Sequence, residues 1–328
     1  MIAAGRPVEL PSDLAPLLLT VIHTEEEFDW SAPFERTANA ITHVRELGRA
    51  QEIFVRRGAR PVYMVDYSIA AQDAGVAAVT ALVEGDPGAV GAHLHPWVNP
   101  PFEEVVSPAN SYPGNLPRAL EGEKLRRLTD RIADAFGARP VAYLAGRYGF
   151  GPHSLSIMQD LGYRIDLSAV ALSDFRADGG PDYRLRDNDC RWEGNPAVLR
   201  IPHTVADVGF LCSGGRRLFE PDRAALFRSL RLPGVMARCG AIERVRLTPE
   251  GFSLRHLKAA ARALVAAHVR VLVFSFHSPS VAPGFTPYVR DRADLGEFVA
   301  RIDGFLRFFR EEIGGRFGTP GDVLNAVA

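Results

Sequence analysis

The chain has 328 residues, of which 47% are hydrophobic and 23% charged, and its formal net charge is −1. This length suits one α/β barrel, and the composition is that of an ordinary globular protein. Because there is no basic excess to hold a nucleic-acid backbone, we expect no nucleic acid among its partners. The three cysteines, Cys190, Cys212 and Cys239, form no CxxC pair and are typical of reduced structural thiols.

The amino-terminal segment does not resemble a secretion signal. Glu9 and Asp13 interrupt it, and its apolar run ends in acidic residues instead of a small-residue cleavage site. No segment approaches the roughly 18 continuous apolar residues of a membrane span. We therefore expect a soluble, cytoplasmic protein without a transmembrane segment.

Short apolar runs alternate along the chain with longer amphipathic segments. The runs predict strands at 17–22, 61–65, 89–95, 140–146, 163–168, 198–204 and 269–276. The amphipathic segments predict helices at 40–58, 123–137 and 255–268. Gly58 and Gly137 stand where helix C-caps belong. This alternation predicts a parallel sheet, either open or closed into a barrel.

Two segments interrupt the alternation. Residues 96–117 are rich in proline and too long for a simple connection between a strand and a helix, and loops of that length are usually functional or disordered. Residues 174–220 resemble an irregular insertion that contains the short strand at 198–204. Since no linker separates two halves, we predict a single domain over 1–328.

Polar, titratable residues collect where the predicted strands end. In chain order they are His23, Glu25, Asp66, His93, His95, Arg147, Asp166 and His277. In parallel α/β folds, and in barrels above all, the carboxyl ends of the strands carry the chemistry. The sequence therefore predicts one site built from many strands.

The spacing of two histidines indicates a metal site. His93 and His95 lie on the same side of an extended chain, about 7 Å apart along the backbone. Two imidazoles and a carboxylate commonly hold a catalytic Zn²⁺, and Glu25 can supply that carboxylate. The alternatives are an ordinary pair of surface or core histidines, and, for Glu26 and Glu27, acids that stabilise a helix N-terminus.

Five motifs, in this order, resemble those of the NodB-homology polysaccharide deacetylases (carbohydrate esterase family 4), most closely the WalW-like branch. They are "HTEEEFDW", "GAHLHPWVNPP", "AGRYGFGP", "IDLS" and "VFSFHSPS". The resemblance runs from about Leu17 to Thr319. It implies an α/β fold, a deformed (β/α) barrel with loop insertions, and a divalent metal, with Zn²⁺ as the first candidate. It also implies an N-acetylated sugar or lipid-linked saccharide as substrate.

The resemblance also assigns a metal centre and a base. The metal ligands would be Glu25, His93 and His95. The base position holds His23, where relatives have aspartate. Arg147 matches the arginine that orients that base, and here it would face an imidazole and have no charge to pair with.

The remaining motifs assign further groups. Asp166 represents the fourth motif, and His277 matches the histidine acid of the fifth, a role that suits an imidazole because its pKa lies near working pH. Trp30, Trp97 and Tyr148 adjoin the motifs and are candidates to stack on a sugar ring or, equally, to pack in the core.

We therefore expect a metal-dependent hydrolase that removes an N-acetyl group from a sugar or polysaccharide precursor. Two alternatives stay open. His23 in the base position suggests a catalytically impaired, sugar-binding protein on the same fold. A hydrolase of other linear amides would use the same chemistry.

Overall fold

The computed structural model describes residues 5–11, 14–83, 86–209 and 243–327. The described residues form twelve strands: β1 (Arg6–Pro7), β2 (Leu17–Thr24), β3 (Pro61–Val65), β4 (Val90–Leu94), β5 (Ala142–Ala145), β6 (Ile165–Asp166), β7 (Arg191–Glu193), β8 (Val198–Arg200), β9 (Val205–Val208), β10 (Glu243–Arg246), β11 (Val271–His277) and β12 (Arg316–Gly318). Their α-helices are α1 (Gly48–Arg57), α2 (Tyr67–Ala71), α3 (Asp73–Val83), α4 (Arg118–Phe136), α5 (Ser154–Asp160), α6 (Leu254–Ala266), α7 (Arg292–Glu311) and α8 (Pro320–Val327).

In the described residues, seven strands form a parallel path in the order β11-β2-β3-β4-β5-β6-β8, and β12 also pairs in parallel with β2. The strand β2 lies inside this set, and Leu18, Leu19, Val21 and Ile22 are fully buried. Strands that are covered on both faces read as continuous apolar runs because neither face meets water. This explains why the run at the start of the chain shows no alternation.

The sheet closes into a barrel through the antiparallel strands β9 and β10 and the residues beside them. Among the described residues, no strand ladder joins β8 to β11. The gap is spanned at Thr204, whose hydroxyl accepts from Val273 N at 2.8 Å, and at Leu247, whose carbonyl accepts from Ser275 N at 3.1 Å. Leu247 N in turn donates to Thr204 O at 3.0 Å. These residues continue the antiparallel pair β9–β10, and the barrel is therefore deformed, as predicted.

Most predicted elements are confirmed. Gly58 and Gly137 cap α1 and α4 in the left-handed conformation, with φ of 71° and 80°. The strand predicted at 198–204 is shorter, Val198–Arg200, and pairs in parallel with β6. This part of the second predicted insertion thus belongs to the sheet. Residues 210–220 of that insertion lie outside the described residues, as do Cys212 and Cys239, whereas Cys190 is a buried free thiol.

None of the helices in the described ranges combines the length and the apolar character that crossing a membrane requires.

The proline-rich loop 96–117 is ordered by one lysine of α4. The side chain of Lys124 is fully buried, and its Nζ lies 3.0 Å from Glu104 Oε2. The same ammonium donates to the carbonyls of Pro96, Asn99 and Pro101, at 2.9, 2.6 and 2.7 Å. A buried charge needs such partners, because leaving water is costly. The loop is therefore tied to α4.

We expect Lys124→Met to lower the free energy of unfolding by about 3–5 kcal/mol, because it leaves the Glu104 carboxylate and three carbonyls without their donor. Urea denaturation followed by circular dichroism measures this. Arg126→Met on the same helix is the control, since its pairs with Glu123 and Asp130 are exposed and such pairs contribute about 1 kcal/mol or less. Equal losses in the two variants would contradict the assigned role of Lys124.

Candidate active site

The carboxyl ends of the parallel strands open into a cavity of about 570 Å³. His23 and Glu25 at the end of β2, His93 and His95 at the end of β4, and His277 at the end of β11 line it. In a parallel sheet these strand ends meet at one edge, as the sequence predicted. His23 and His277 are register partners in β2 and β11, and their ring centroids lie 4.7 Å apart.

Glu25, His93 and His95 converge on one point. Glu25 Oε2 lies 3.1 Å from His93 Nε2 and 3.5 Å from His95 Nε2, and all three side chains are buried. Burial raises the pKa of Glu25, but His277, His93 and His95 outweigh it and hold the pKa at about 2. Burial lowers the pKa of both histidines. An ionised carboxylate and two neutral imidazoles are the protonation states that metal ligands need.

Hydrogen bonds behind the two histidines orient their rings. His93 Nδ1 lies 2.9 Å from Leu144 O, and because a carbonyl only accepts, Nδ1 carries the proton. His95 Nδ1 donates to Glu26 at 3.0 Å. Both Nε2 lone pairs are therefore left to face Glu25, which is the arrangement found around ligating histidines in metal proteins.

Glu26 is buried behind His95 together with Asp66. Burial raises the pKa of Glu26 to about 8, and burial and the neighbouring Glu26 raise the pKa of Asp66 well above its usual range. Asp66 also caps α2 by accepting from Ser68 N and Ile69 N at 3.0 and 2.9 Å. Two buried acids this close hold a proton between them, because both cannot ionise. No sequence pattern predicted that Glu26 would be buried.

Glu27 serves a different purpose. It accepts from His43 N at 2.6 Å and from Thr42 Oγ1 at 2.8 Å, which joins the end of β2 to the segment before α1. Of the three consecutive glutamates, Glu25 faces the cavity, Glu26 orients His95, and Glu27 binds the segment that precedes α1.

His277 pairs with a carboxylate that sequence reasoning missed. Glu250 Oε2 lies 2.8 Å from His277 Nδ1, and its other oxygen accepts from His277 N at 3.1 Å and from Ser280 Oγ at 2.6 Å. Burial lowers the pKa of His277, but Glu250 and Glu25 outweigh it, so the pKa lies above its usual value. His277 is therefore suited to carry a proton near neutral pH.

His23 lies at the centre of the cluster as a neutral imidazole. It is 2% exposed, and its Nε2 meets no hydrogen-bond partner among the described residues. Burial, and after it the charge of His277, lowers the pKa of His23 well below its usual value. His23, Glu25 and His277 also lie close enough together to form a second metal-binding group.

Several solved structures share this fold. The chain superimposes on PuuE allantoinase with a TM-score of 0.56 and 14% identity, covering 99% of this chain and 94% of that one. It matches a protein described as a polysaccharide deacetylase from Pseudomonas aeruginosa PAO1 with a TM-score of 0.55 and 14% identity, covering 97% and 92%. It also matches a protein described as a polysaccharide deacetylase from Mycobacterium smegmatis, with a TM-score of 0.52 and 12% identity, covering 100% of this chain and 95% of that one. Neither a family model nor a curated protein matches the chain.

The chain shares its fold with proteins described as polysaccharide deacetylases. The deformed (β/α) barrel predicted from the motifs is thereby confirmed, while the WalW-like branch stays a prediction. An allantoinase has the same architecture, so the deacetylase fold alone does not decide the substrate.

Arg147 lies at the cavity wall with partners other than His23. Its guanidinium donates to Ser111 Oγ at 2.7 Å, pairs with Asp178, and lies 4.1 Å from the centroid of the Tyr112 ring. Orientation of a base by Arg147 stays a prediction. The arginine whose charge depresses the pKa of His23 is instead Arg246 of β10, which the sequence did not single out.

Asp166, expected to be catalytic, does not line the cavity. Its carboxylate accepts from Arg200 Nε at 2.7 Å and from Ser168 N at 2.8 Å, and it is 1% exposed. The reason is strand register, since Asp166 in β6 is the direct partner of Arg200 in β8. Among the described contacts, the carboxylate beside His277 is Glu250 and not Asp166.

Two of the three candidate aromatic residues line the cavity. Trp30 is 38% exposed and meets the His277 ring edge to face at 4.8 Å. Tyr148 packs against His23 at 5.6 Å. Trp97, also expected to stack on a sugar, instead is 1% exposed and stacks on the His95 ring at 4.3 Å. A substrate cannot reach it there, so the core-packing alternative applies to Trp97.

We expect Glu250→Gln to lower the pKa of His277, because a neutral amide stabilises the imidazolium less than a carboxylate does. NMR titration of the histidine ring protons, with the His277 signal assigned from His277→Gln, measures this. Any activity that needs protonated His277 should then be lost at a lower pH than in the wild type.

Ser280→Ala is the control, since it removes one hydrogen bond to Glu250 and leaves the carboxylate; it should shift the pKa of His277 far less. The raised pKa also means that the His277–Glu250 pair stabilises the fold below the ordinary histidine pKa, and that this stabilisation is lost as pH rises through the raised pKa. An unchanged titration of His277 in Glu250→Gln would contradict the pairing.

Proposed function

We propose that the protein is a divalent-metal-dependent hydrolase that removes an N-acetyl group from a sugar or polysaccharide precursor. The observation that carries the proposal is the convergence of Glu25, His93 and His95 beneath a cavity that also holds His277. An N-acetylated sugar or lipid-linked saccharide as substrate, Zn²⁺ as the metal and a cytoplasmic location stay predictions.

The residues present fit such an ion. Two neutral imidazoles with engaged Nδ1 protons and one ionised carboxylate make a common three-ligand set for a catalytic divalent metal, with a position left for other ligands. A divalent ion held by Glu25, His93 and His95 would polarise the acetyl carbonyl and lower the pKa of a water molecule.

The chain's own groups supply the proton transfers. His277 would donate a proton to the leaving amine, and Glu250 holds its Nδ1 at 2.8 Å so that Nε2 is free to act. Trp30 and Tyr148 would form the walls against which a sugar ring packs, as aromatic side chains do with apolar ring faces.

His23 would serve as the base, since it is neutral and its Nε2 has no partner among the described residues. Its lowered pKa favours the proton-accepting form but weakens its basicity. The lowered pKa of His23 also supports a second candidate function, that of a sugar-binding protein which has this fold and has lost catalysis. Substitution of His23 by alanine and by aspartate separates the two candidates.

We expect the purified protein to hold about one divalent ion per chain, and His95→Ala to lose it, since three ligands are the minimum of such a site. Elemental analysis measures both. His277→Ala is the matched control in the same cavity. It should keep the ion while turnover, followed as acetate release, falls by roughly 10²–10⁴. Stoichiometric metal in His95→Ala, or loss of the metal in His277→Ala, would overturn the assignment of Glu25, His93 and His95 as the ligands. Either result would favour the alternative group of His23, Glu25 and His277.

We expect His23→Ala to lower acetate release, and His23→Asp to retain or raise it, because a carboxylate is a stronger acceptor here and has Arg246 beside it. A panel of N-acetylated sugars provides the assay. Equal rates in the wild type and His23→Ala would exclude His23 as the base. Release by His23→Asp alone would support the lost-catalysis candidate.

A further inference from the structure

Among the described residues, three arginines line the cavity, and two of them are paired with carboxylates. Arg147 pairs with Asp178, and Arg244 holds Asp207 at 2.8 Å. Arg246 lies two residues beyond Arg244, on the same face of β10. Within the described part of the chain, no carboxylate oxygen lies within 4.0 Å of the Arg246 guanidinium. Arg246 is thus a half-buried charge in the cavity that lacks a counter-ion there.

The hydrogen bond that Arg246 makes is to Tyr148. Its Nη1 donates to the Tyr148 hydroxyl at 3.2 Å, and its guanidinium carbon lies 5.1 Å from the centroid of that ring. Because the hydroxyl accepts in this contact, its own proton remains to be donated. Burial raises the pKa of Tyr148 to about 12, so the hydroxyl stays protonated near neutral pH. Arg246 and Tyr148 together present a positive charge and two kinds of hydrogen-bond donor, the guanidinium N–H groups and the phenol hydroxyl.

The carboxylates of the inner cavity are engaged elsewhere. Glu25 is surrounded by His93 and His95, and Glu250 is held by His277 and Ser280. Neither forms an ion pair with Arg246 in the described structure. A guanidinium in a cleft is well suited to carboxylate or phosphate, because its fork of donors matches their oxygens.

We infer that Arg246 and Tyr148 bind an anionic group of the substrate, so that the substrate is an N-acetylated sugar that carries a carboxylate or a phosphate. This inference rests on the proposed function. The Tyr148 ring lies 5.6 Å from that of His23, which places the anion-binding pair next to the reacting centre. The charged group would therefore belong to the sugar that is deacetylated or to its immediate neighbour.

Isothermal titration of the full-length protein tests this with glucosamine, glucosaminuronic acid and glucosamine 6-phosphate. These amines cannot be deacetylated, so binding is read without turnover. We expect an acidic sugar to bind on the order of tenfold to a hundredfold more tightly than the neutral one, as for a hydrogen bond to a charged group. The tighter of the two acids identifies the anion as carboxylate or phosphate.

Arg246→Gln should abolish this preference, and Arg246→Lys should keep part of it. Arg244→Gln is the matched control: it removes the same charge from the same face of β10, at a residue that already holds Asp207, and should keep the preference. Equal affinity for neutral and acidic sugars in the wild type, or a preference that survives in Arg246→Gln, would overturn the inference.

Acetate release from the matching N-acetyl sugars separates this inference from the proposed function. Release without any acid preference would leave the hydrolase proposal standing and remove the role of Arg246. An Arg246-dependent preference in binding, with no acetate release from any of the three sugars, would support the anion site and count against the deacetylase.

Discussion

The ionised carboxylate of Glu25, buried at the end of β2, is the constraint on which the site depends. A buried charge is tolerated only with compensating partners, and here the first of them is His277, whose pKa lies above its usual value and whose charge lowers the pKa of Glu25. His93 and His95 supply direct contacts at 3.1 and 3.5 Å. The barrel must therefore bring β2 and β4 to one edge with these residues in place.

Three of the histidines around Glu25 are each held by a hydrogen bond to another group. Leu144 O orients His93, Glu26 orients His95, and Glu250 orients His277. Two of these supports are themselves buried acids, and they act differently. Glu26 shares its surroundings with Asp66, and its pKa rises to about 8. Glu250 instead faces an imidazole whose pKa lies above its usual value. The contrast arises because burial disfavours the charged form of the Glu26 carboxyl, whereas the Glu250 carboxylate stabilises a protonated histidine.

The antiparallel pair β9–β10 contributes both to barrel closure and to the site. Leu247, which follows β10, helps to close the barrel through its bonds to Ser275 and Thr204. The same strand places Arg246 beside Tyr148, and Glu250 follows a few residues later. One closing element thus supplies both the partner of His277 and the cation that we assign to an anionic substrate.

The sequence by itself determined the strands, because apolar runs such as 17–22 reflect burial on both faces of the sheet. It also determined the convergence of Glu25, His93, His95 and His277, because the carboxyl ends of parallel strands lie at one edge. Tertiary structure alone decided the partners. Glu250 and Arg246 come from a segment whose position depends on barrel closure, and no local pattern marks them. Strand register pairs Asp166 with Arg200 and keeps it out of the cavity. Trp97 is buried because it stacks on the His95 ring. Such pairings are set by contacts between residues far apart in the chain, which periodicity and spacing do not encode.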